Sequence, residues 1–125
     1  MHQIAIISEN LIFTKLLDSH LKRKLPECLI TPFSSFTAIK EKIRRSAFEM
    51  IMVDGFISGM ASFEIINYLR CEKKVICPIC FFSDAPGDYF KIIATKKSVN
   101  YHYRKPFDAH TVTKEIATYL VPSQN

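Results

Sequence analysis

Long hydrophobic runs, glycine and proline are all scarce in this chain, and each scarcity removes a class of protein. The longest apolar stretches, such as Val75 to Phe82, fall far short of the roughly 18 residues a membrane-crossing helix needs. With 3 Gly and 6 Pro among 125 residues, neither a collagen-like repeat nor a disordered tail fits, and 23% charged residues point the same way. No internal repeat, low-complexity tract or linker interrupts the chain before a short tail at Pro122 to Asn125. Met1-His2-Gln3 runs straight into a strand-like segment, so no signal peptide is expected and the protein is read as soluble and cytoplasmic, without a membrane partner. What is present is 48% hydrophobic and 12% aromatic, enough for one real core, and the expected unit is a single domain over residues 1–121 followed by the tail at 122–125.

The balance of 17 Lys+Arg against 12 Asp+Glu gives a formal charge of +5, a weak pull toward acidic partners. The basic residues fall at Lys22-Arg23-Lys24, Lys40, Lys42, Arg44-Arg45, Lys73-Lys74 and Lys96-Lys97, mostly near the ends of predicted helices. Cations there complement the helix dipole and sit in solvent, so direct nucleic-acid binding is not expected. The cysteines, Cys28, Cys71, Cys77 and Cys80, include a formal CxxC at Cys77-Pro78-Ile79-Cys80. Within one strand a spacing of three sends the two sulfurs to opposite faces, and no second CxxC or His pair completes a tetrahedral site. All four are therefore expected to be ordinary core thiols.

Two periods alternate along the chain. Gln3 to Ser8 is a short β-branched run, and Leu11 to Lys24 then places Ile12, Leu16, Leu17 and Leu21 on one helical face with Asn10 as its cap. After Pro26 the cycle repeats, with Cys28 to Phe33 as a strand and a helix after Ser35 that turns Phe36, Ile39 and Ile43 inward and Lys40, Lys42 and Arg44 outward. A third strand over Glu49 to Asp54 leads through a loop with Gly55, Ser58 and Gly59 to a helix from about Ser62, with Phe63, Ile66 and Leu69 inward. Val75 to Phe82 is the most continuously apolar strand and is expected at the sheet centre. A helix from about Gly87 to Lys97, a strand over Asn100 to Arg104 and a final helix capped by Asp108, carrying Val112, Ile116 and Tyr119 or Leu120, complete the pattern. Five strands alternating with five helices predict a doubly wound α/β fold, a five-stranded parallel sheet between two helical layers.

In such a fold functional groups gather at the carboxyl ends of the strands. Those ends read Ser8-Glu9, Asp54, Ser83 and Lys105. An aspartate can accept a phosphoryl group when cations neutralise the incoming oxygens. Glu9 and Asp54, with a loop carbonyl and water, would supply the oxygen ligands Mg²⁺ prefers. Lys105 would add a point charge and Ser83 a hydrogen bond. A plain ion pair between Asp54 and Lys105 at a strand end explains the same two residues without chemistry.

Over nearly its whole length the chain resembles the receiver domains of response regulators, the CheY-like superfamily. Tyr103-Arg104-Lys105-Pro106-Phe107 resembles the family's lysine-proline-phenylalanine signature, Ile51-Met52-Val53-Asp54 the strand leading to the phosphoacceptor, and Gly59-Met60 part of the loop beyond it. Phe81-Phe82-Ser83 resembles the strand ending in the switch Ser or Thr, and Ile6 to Phe13 the segment of the acidic pair, with a flavour of the NarL or LuxR branch. The resemblance implies a signalling domain rather than an enzyme, with at most self-catalysed phosphoryl transfer and autodephosphorylation. It implies Asp54 as acceptor, Lys105 and Ser83 beside it, and a switch made of Ser83 and His102. It also implies a Mg²⁺ held by Glu9, Asp54, the backbone carbonyl of Phe56 and, through water, Ser8. The partners it implies are a histidine kinase or phosphotransfer protein, and a second copy meeting the face built by the 87–97 helix, the last strand and the last helix.

The chain departs from the family at several points. Ser8 then Glu9 stand where the family has two acids, so weak metal binding is expected. Ser58 replaces a common proline, Phe56 lies two residues past the acceptor, Asp84 replaces a small residue after Ser83, and His102 occupies the position of a rotating Tyr or Phe. Two rival readings stay open: a pseudo-receiver that binds protein without phosphorylation, and a small flavodoxin-like enzyme or nucleotide binder. The second lacks a glycine-rich loop after the first strand, and a dehalogenase-type phosphatase lacks a second Asp two positions after Asp54.

Overall fold

The computed structural model describes residues 2–44, 47–57, 60–84 and 98–121, with the side chains of 56 and 60–63 not described. Strands β1 (Gln3–Ile7), β2 (Leu29–Phe33), β3 (Met50–Asp54), β4 (Ile79–Ser83) and β5 (Tyr101–Arg104) form one sheet in the order β2-β1-β3-β4-β5. All four pairings are parallel. The described helices are α1 (Leu11–Lys24), α2 (Phe36–Lys42), α3 (Ser62–Asn67) and α4 (Ala109–Leu120). The helix expected over 87–97 lies outside the described residues, as does the tail at 122–125.

Alternation along the strands divides the core into two layers. Ala5, Ile7, Ile51, Val53, Ile79 and Phe81 point to one face, where Ile39, Ile65, Ile66 and Leu69 meet them. Ile4, Ile6, Met50, Met52, Cys80 and Phe82 point to the other, where Phe13, Leu17 and Leu21 of α1 and Val112 and Ile116 of α4 pack. Every residue of β3 and β4 is buried, which explains why both strands read as unbroken apolar runs. β3, however, is the middle strand, not β4.

Other expectations need correction as well. The fourth strand begins at Ile79, not at Val75. Pro78 has no N–H to give a ladder and joins β3 only through its carbonyl, which accepts from Ile51 N–H at 3.0 Å, while the Arg70 guanidinium takes the carbonyls of Val75 and Cys77 at 2.9 and 2.8 Å, so those two are tied to a side chain. Cys77 and Cys80 still fall on opposite sides of the sheet, and all four cysteines are free, but Cys71 is exposed and is no core thiol. Burial pushes the thiols of Cys28, Cys77 and Cys80 up, away from the thiolate that a metal would need.

On α1 the inward stripe is Phe13, Thr14, Leu17 and Leu21, while Ile12 is 78% exposed and Leu16 40%. Both Ile12–Leu16 and Phe13–Leu17–Leu21 are valid i, i+4 ladders, and only the second packs on the sheet and α4. The loop after Asp54 carries a two-stranded antiparallel ribbon pairing Phe56–Ile57 with Met60–Ala61; Ser58 and Gly59 lie outside the described residues. Past Asn67 the third helix continues as a π-turn over Tyr68–Glu72, closed by Lys73 N–H donating to the Tyr68 carbonyl at 3.1 Å. Phe36 is half-buried against Tyr68 rather than in the core.

Candidate functional site at the carboxyl edge of the sheet

The chain leaves β1 for β2 on one side and returns to β3 on the other, so the switch in strand order falls between β1 and β3. Ser8 and Asp54 stand at these two strand ends. Ser8 N–H donates to the Phe33 carbonyl at 3.0 Å, carrying the β1–β2 ladder one residue further and turning the hydroxyl toward β3. That hydroxyl donates to Asp54 Oδ2 at 2.6 Å, and its oxygen accepts the N–H of Asn10 at 2.9 Å. Asn10 in turn caps α1, its Oδ1 accepting from the N–H groups of Ile12 and Phe13 at 2.9 and 3.1 Å. One short run of sequence thus fixes the start of α1 and the orientation of the Asp54 carboxylate.

Asp54 is 2% exposed. Its Oδ1 accepts a short hydrogen bond from the Lys105 ammonium, so each carboxylate oxygen has a donor. Lys105 is placed by its own backbone, whose N–H donates to the Ser83 carbonyl at 3.0 Å and extends the β4–β5 ladder. The peptide to Pro106 is cis. The ammonium reaches a second carboxylate, Asp84 Oδ1, at 3.1 Å, and lies 5.0 Å from the centre of the Phe13 ring. Burial alone would depress this ammonium, but the bonds to Asp54 and Asp84 outweigh it and hold the Lys105 pKa above the ordinary 10.5.

Beneath Lys105, Phe13 meets Phe82 and Phe107 edge-on at 5.1 and 5.9 Å. This cluster gives Phe107 of the lysine-proline-phenylalanine run a packing role that the sequence reading did not assign. Choosing Phe13 over Ile12 for the inner face of α1 would have revealed it.

Ser83 ends β4 and is 1% exposed. Its hydroxyl shares a 2.7 Å hydrogen bond with His102 Nε2, and the imidazole stacks on Phe81 at 5.8 Å with 16° between the planes. Burial, aided by the charge of Arg104, lowers the His102 pKa below 6.5. The two residues expected to form a switch are therefore in direct contact, with His102 half-buried.

Above these side chains opens a cavity of about 470 Å³ lined by Glu9, Asn10, Asp54, Asp84 and Lys105. Of the residues expected at the site, Glu9, Asp54 and Lys105 line this cavity, Glu9 at the rim and Asp54 on the floor, whereas the Ser83 hydroxyl is engaged with His102. Ser8, expected to work through water, bonds Asp54 directly. The backbone of Phe56 enters the ribbon just past Gly55.

The donors suit a hard cation in kind, being carboxylates and a carbonyl, and Mg²⁺ commonly uses only one or two carboxylates with waters completing its shell. Among the described residues no group of three or more His, Cys, Asp or Glu is placed to hold a metal. An ion here would rest on Glu9 and Asp54, against the two donors that Asp54 already has.

No protein-family model matches the chain, and no curated protein matches its sequence. Solved structures do match. The signal receiver domain of a DNA-binding response regulator from Colwellia psychrerythraea 34H superposes with a TM-score of 0.81 at 19% identity, covering 98% of this chain and 100% of that one. A two-component response regulator from Clostridium difficile gives 0.80 at 17% identity with all of both chains covered. A CheY-like receiver domain from Methanospirillum hungatei JF-1 gives 0.79 at 11% identity, over 97% of this chain and 94% of that one. The chain has the fold of the response-regulator receiver domains along its whole length. At these identities the likeness is one of fold, and the chemistry has to be argued from the site. No helix among the described residues is long and apolar enough to cross a membrane.

Proposed function

We propose that the protein is a phosphoacceptor module of two-component signalling, working in the cytoplasm, in which Asp54 receives a phosphoryl group from the phosphohistidine of a kinase or phosphotransfer protein. The observation that carries this reading is the setting of Asp54, a carboxylate 2% exposed on the floor of a cavity, with the Lys105 ammonium and the Ser8 hydroxyl on its two oxygens. A carboxylate oxygen would attack phosphorus, the N–P bond to the donor imidazole would break, and the imidazole would leave with a proton, giving an acyl phosphate on Asp54. Mg²⁺, held weakly by Glu9, Asp54 and the Phe56 carbonyl, would neutralise phosphoryl oxygens. Lys105 would stabilise a second oxygen as a point charge.

Ser83 would carry the event outward. Its hydroxyl now shares a hydrogen bond with His102. A new phosphoryl oxygen would compete for that hydroxyl and release His102, shifting a two-state equilibrium on the face of β5 and α4. That face is where a second copy or another partner would read the state.

The test is mass spectrometry after acetyl phosphate treatment in Mg²⁺. The intact chain should gain one phosphoryl group and Asp54→Asn none; a gain by Asp54→Asn refutes the assignment. The pseudo-receiver reading keeps one observation in its favour, since both Asp54 oxygens already have donors. Beryllofluoride with Mg²⁺ separates the two readings, because only a phosphoacceptor site should respond by changes at Ser83 and His102.

A further inference from the structure

Resting on the phosphoacceptor reading, we infer that Asp84 is a built-in counter-anion that holds Lys105 and so limits how readily the cavity takes up a phosphoryl group. Lys105 is the cation that bridges Asp54 and Asp84, its ammonium 3.1 Å from Asp84 Oδ1 while it also donates to Asp54 Oδ1. Asp84 is the first residue past β4 and lines the same cavity as Asp54.

The chain just past the acceptor runs close against the end of β4 and this carboxylate. A Cβ at Gly55, the residue after the acceptor, would lie 2.7 Å from Asp84 Oδ2, 3.0 Å from Asp84 N and 2.4 Å from the Phe82 carbonyl oxygen. The Phe82 carbonyl sets the requirement for glycine, and the absence of a side chain there also leaves the Asp84 carboxylate close to the chain beyond Asp54. The side chain is nevertheless 40% exposed, so it can swing out into solvent.

An anion entering the cavity seeks the same ammonium that Asp84 holds. It must displace that carboxylate and then sit beside its negative charge, so uptake is an exchange of one anion for another around Lys105. A half-exposed ion pair is worth up to about 1 kcal/mol, which corresponds to about fivefold in affinity. Neutralising Asp84 should therefore tighten anion binding by about that factor, provided Lys105 is present.

The experiment titrates metal-free protein with inorganic phosphate, following amide signals around Asp54 by NMR, in the intact chain, Asp84→Asn, Asp84→Ala, Lys105→Gln and the Asp84→Asn/Lys105→Gln pair. Rates of acetyl phosphate labelling are measured alongside. Both single Asp84 variants should bind phosphate about fivefold more tightly than the intact chain, and Asp84→Asn should give no gain when Lys105 is Gln. Unchanged affinity in both Asp84 variants overturns the inference, and so does an equal gain without Lys105, which would reduce Asp84 to a general repulsive charge. Tighter phosphate binding without any labelling of Asp54 supports the Asp84 role and refutes the phosphoacceptor reading. Labelling of Asp54 with unchanged phosphate affinity does the reverse.

Discussion

Replacing Ser8 with aspartate should make folding sensitive to a divalent cation. Ser8 and Asp54 are 4% and 2% exposed, and the Ser8 hydroxyl donates to Asp54 Oδ2 at 2.6 Å. Ser8→Asp removes that charge-assisted hydrogen bond, worth about 1.5–3 kcal/mol, and sets a second carboxylate beside the first. Two unit charges about 4 Å apart repel by about 4 kcal/mol at an effective dielectric of about 20. Lys105 already bridges Asp54 and Asp84 and cannot neutralise a third acid. The repulsion is bounded, because the pair will share a proton rather than carry the full penalty, so about 3 kcal/mol is the expected loss at neutral pH without metal.

The shared proton raises one folded-state pKa, so the folded protein binds protons more readily than the unfolded chain. The loss should therefore shrink as pH falls toward about 4, where carboxyls become protonated in both states. A cation that binds only the folded pair restores about 2.7 kcal/mol at a hundred times its Kd. Urea unfolding followed by circular dichroism, in EDTA and in Mg²⁺, reads both effects, and a Mg²⁺ titration reads affinity directly. Ser8→Asp should unfold early in EDTA, recover in Mg²⁺ and bind the ion more tightly than the parent. A variant as stable as the parent in EDTA, or one with equal or weaker Mg²⁺ affinity, would show that the lack of charge at position 8 does not limit this site.

Other substitutions probe the supports of the same edge. Gly55→Ala should destabilise the fold by about 1–3 kcal/mol, because the new methyl meets the Phe82 carbonyl at 2.4 Å and β3–β4 pairing holds that carbonyl in place; an unchanged urea midpoint would mean the backbones are not this close. Lys105→Met leaves the Asp54 carboxylate buried with only the Ser8 hydroxyl, at a cost of about 3 kcal/mol, and Asp54→Asn in the same chain should recover much of it. Additive losses in that pair would refute the coupling. His102, held below 6.5 by burial and Arg104, lets the unfolded chain take up its proton first, so stability should drop as pH falls below about 6.5 and level off once the folded imidazole is charged. In His102→Gln that part of the pH slope should vanish, and a slope that persists would place its origin elsewhere.

How far the sequence could be read depended on whether local pattern or three-dimensional competition decided each point. β3 was legible because Met50 to Asp54 is buried on both faces and had no rival assignment. On α1 two apolar ladders competed, and the choice was made by Phe82 and Phe107, distant partners that draw Phe13 inward. Val75 to Pro78 had the composition of a strand, but Arg70, 5 and 7 residues away from Val75 and Cys77, claimed their carbonyls. Hydrophobicity carries no trace of such a bond, since the acceptors are main-chain atoms.

The site divides along the same line. Parallel strands end on one edge whatever their side chains, so Ser8, Glu9, Asp54, Ser83 and Lys105 could be brought together from their positions alone. Who bonds whom within that group could not, because it depends on how far each chain continues its ladder past the strand. Ser8 N–H on the Phe33 carbonyl and Lys105 N–H on the Ser83 carbonyl are each one such extra rung. The first aims the Ser8 hydroxyl at Asp54, and the second starts Lys105 close enough to Asp84 for its ammonium to bridge two carboxylates. The neutral residue at position 8 and the acid at position 84 therefore bear on the same ammonium. With Ser8 neutral, Lys105 meets no charge from position 8 and has charge to share with Asp84 on the β4 side, so Ser8→Asp should loosen the Lys105–Asp84 contact.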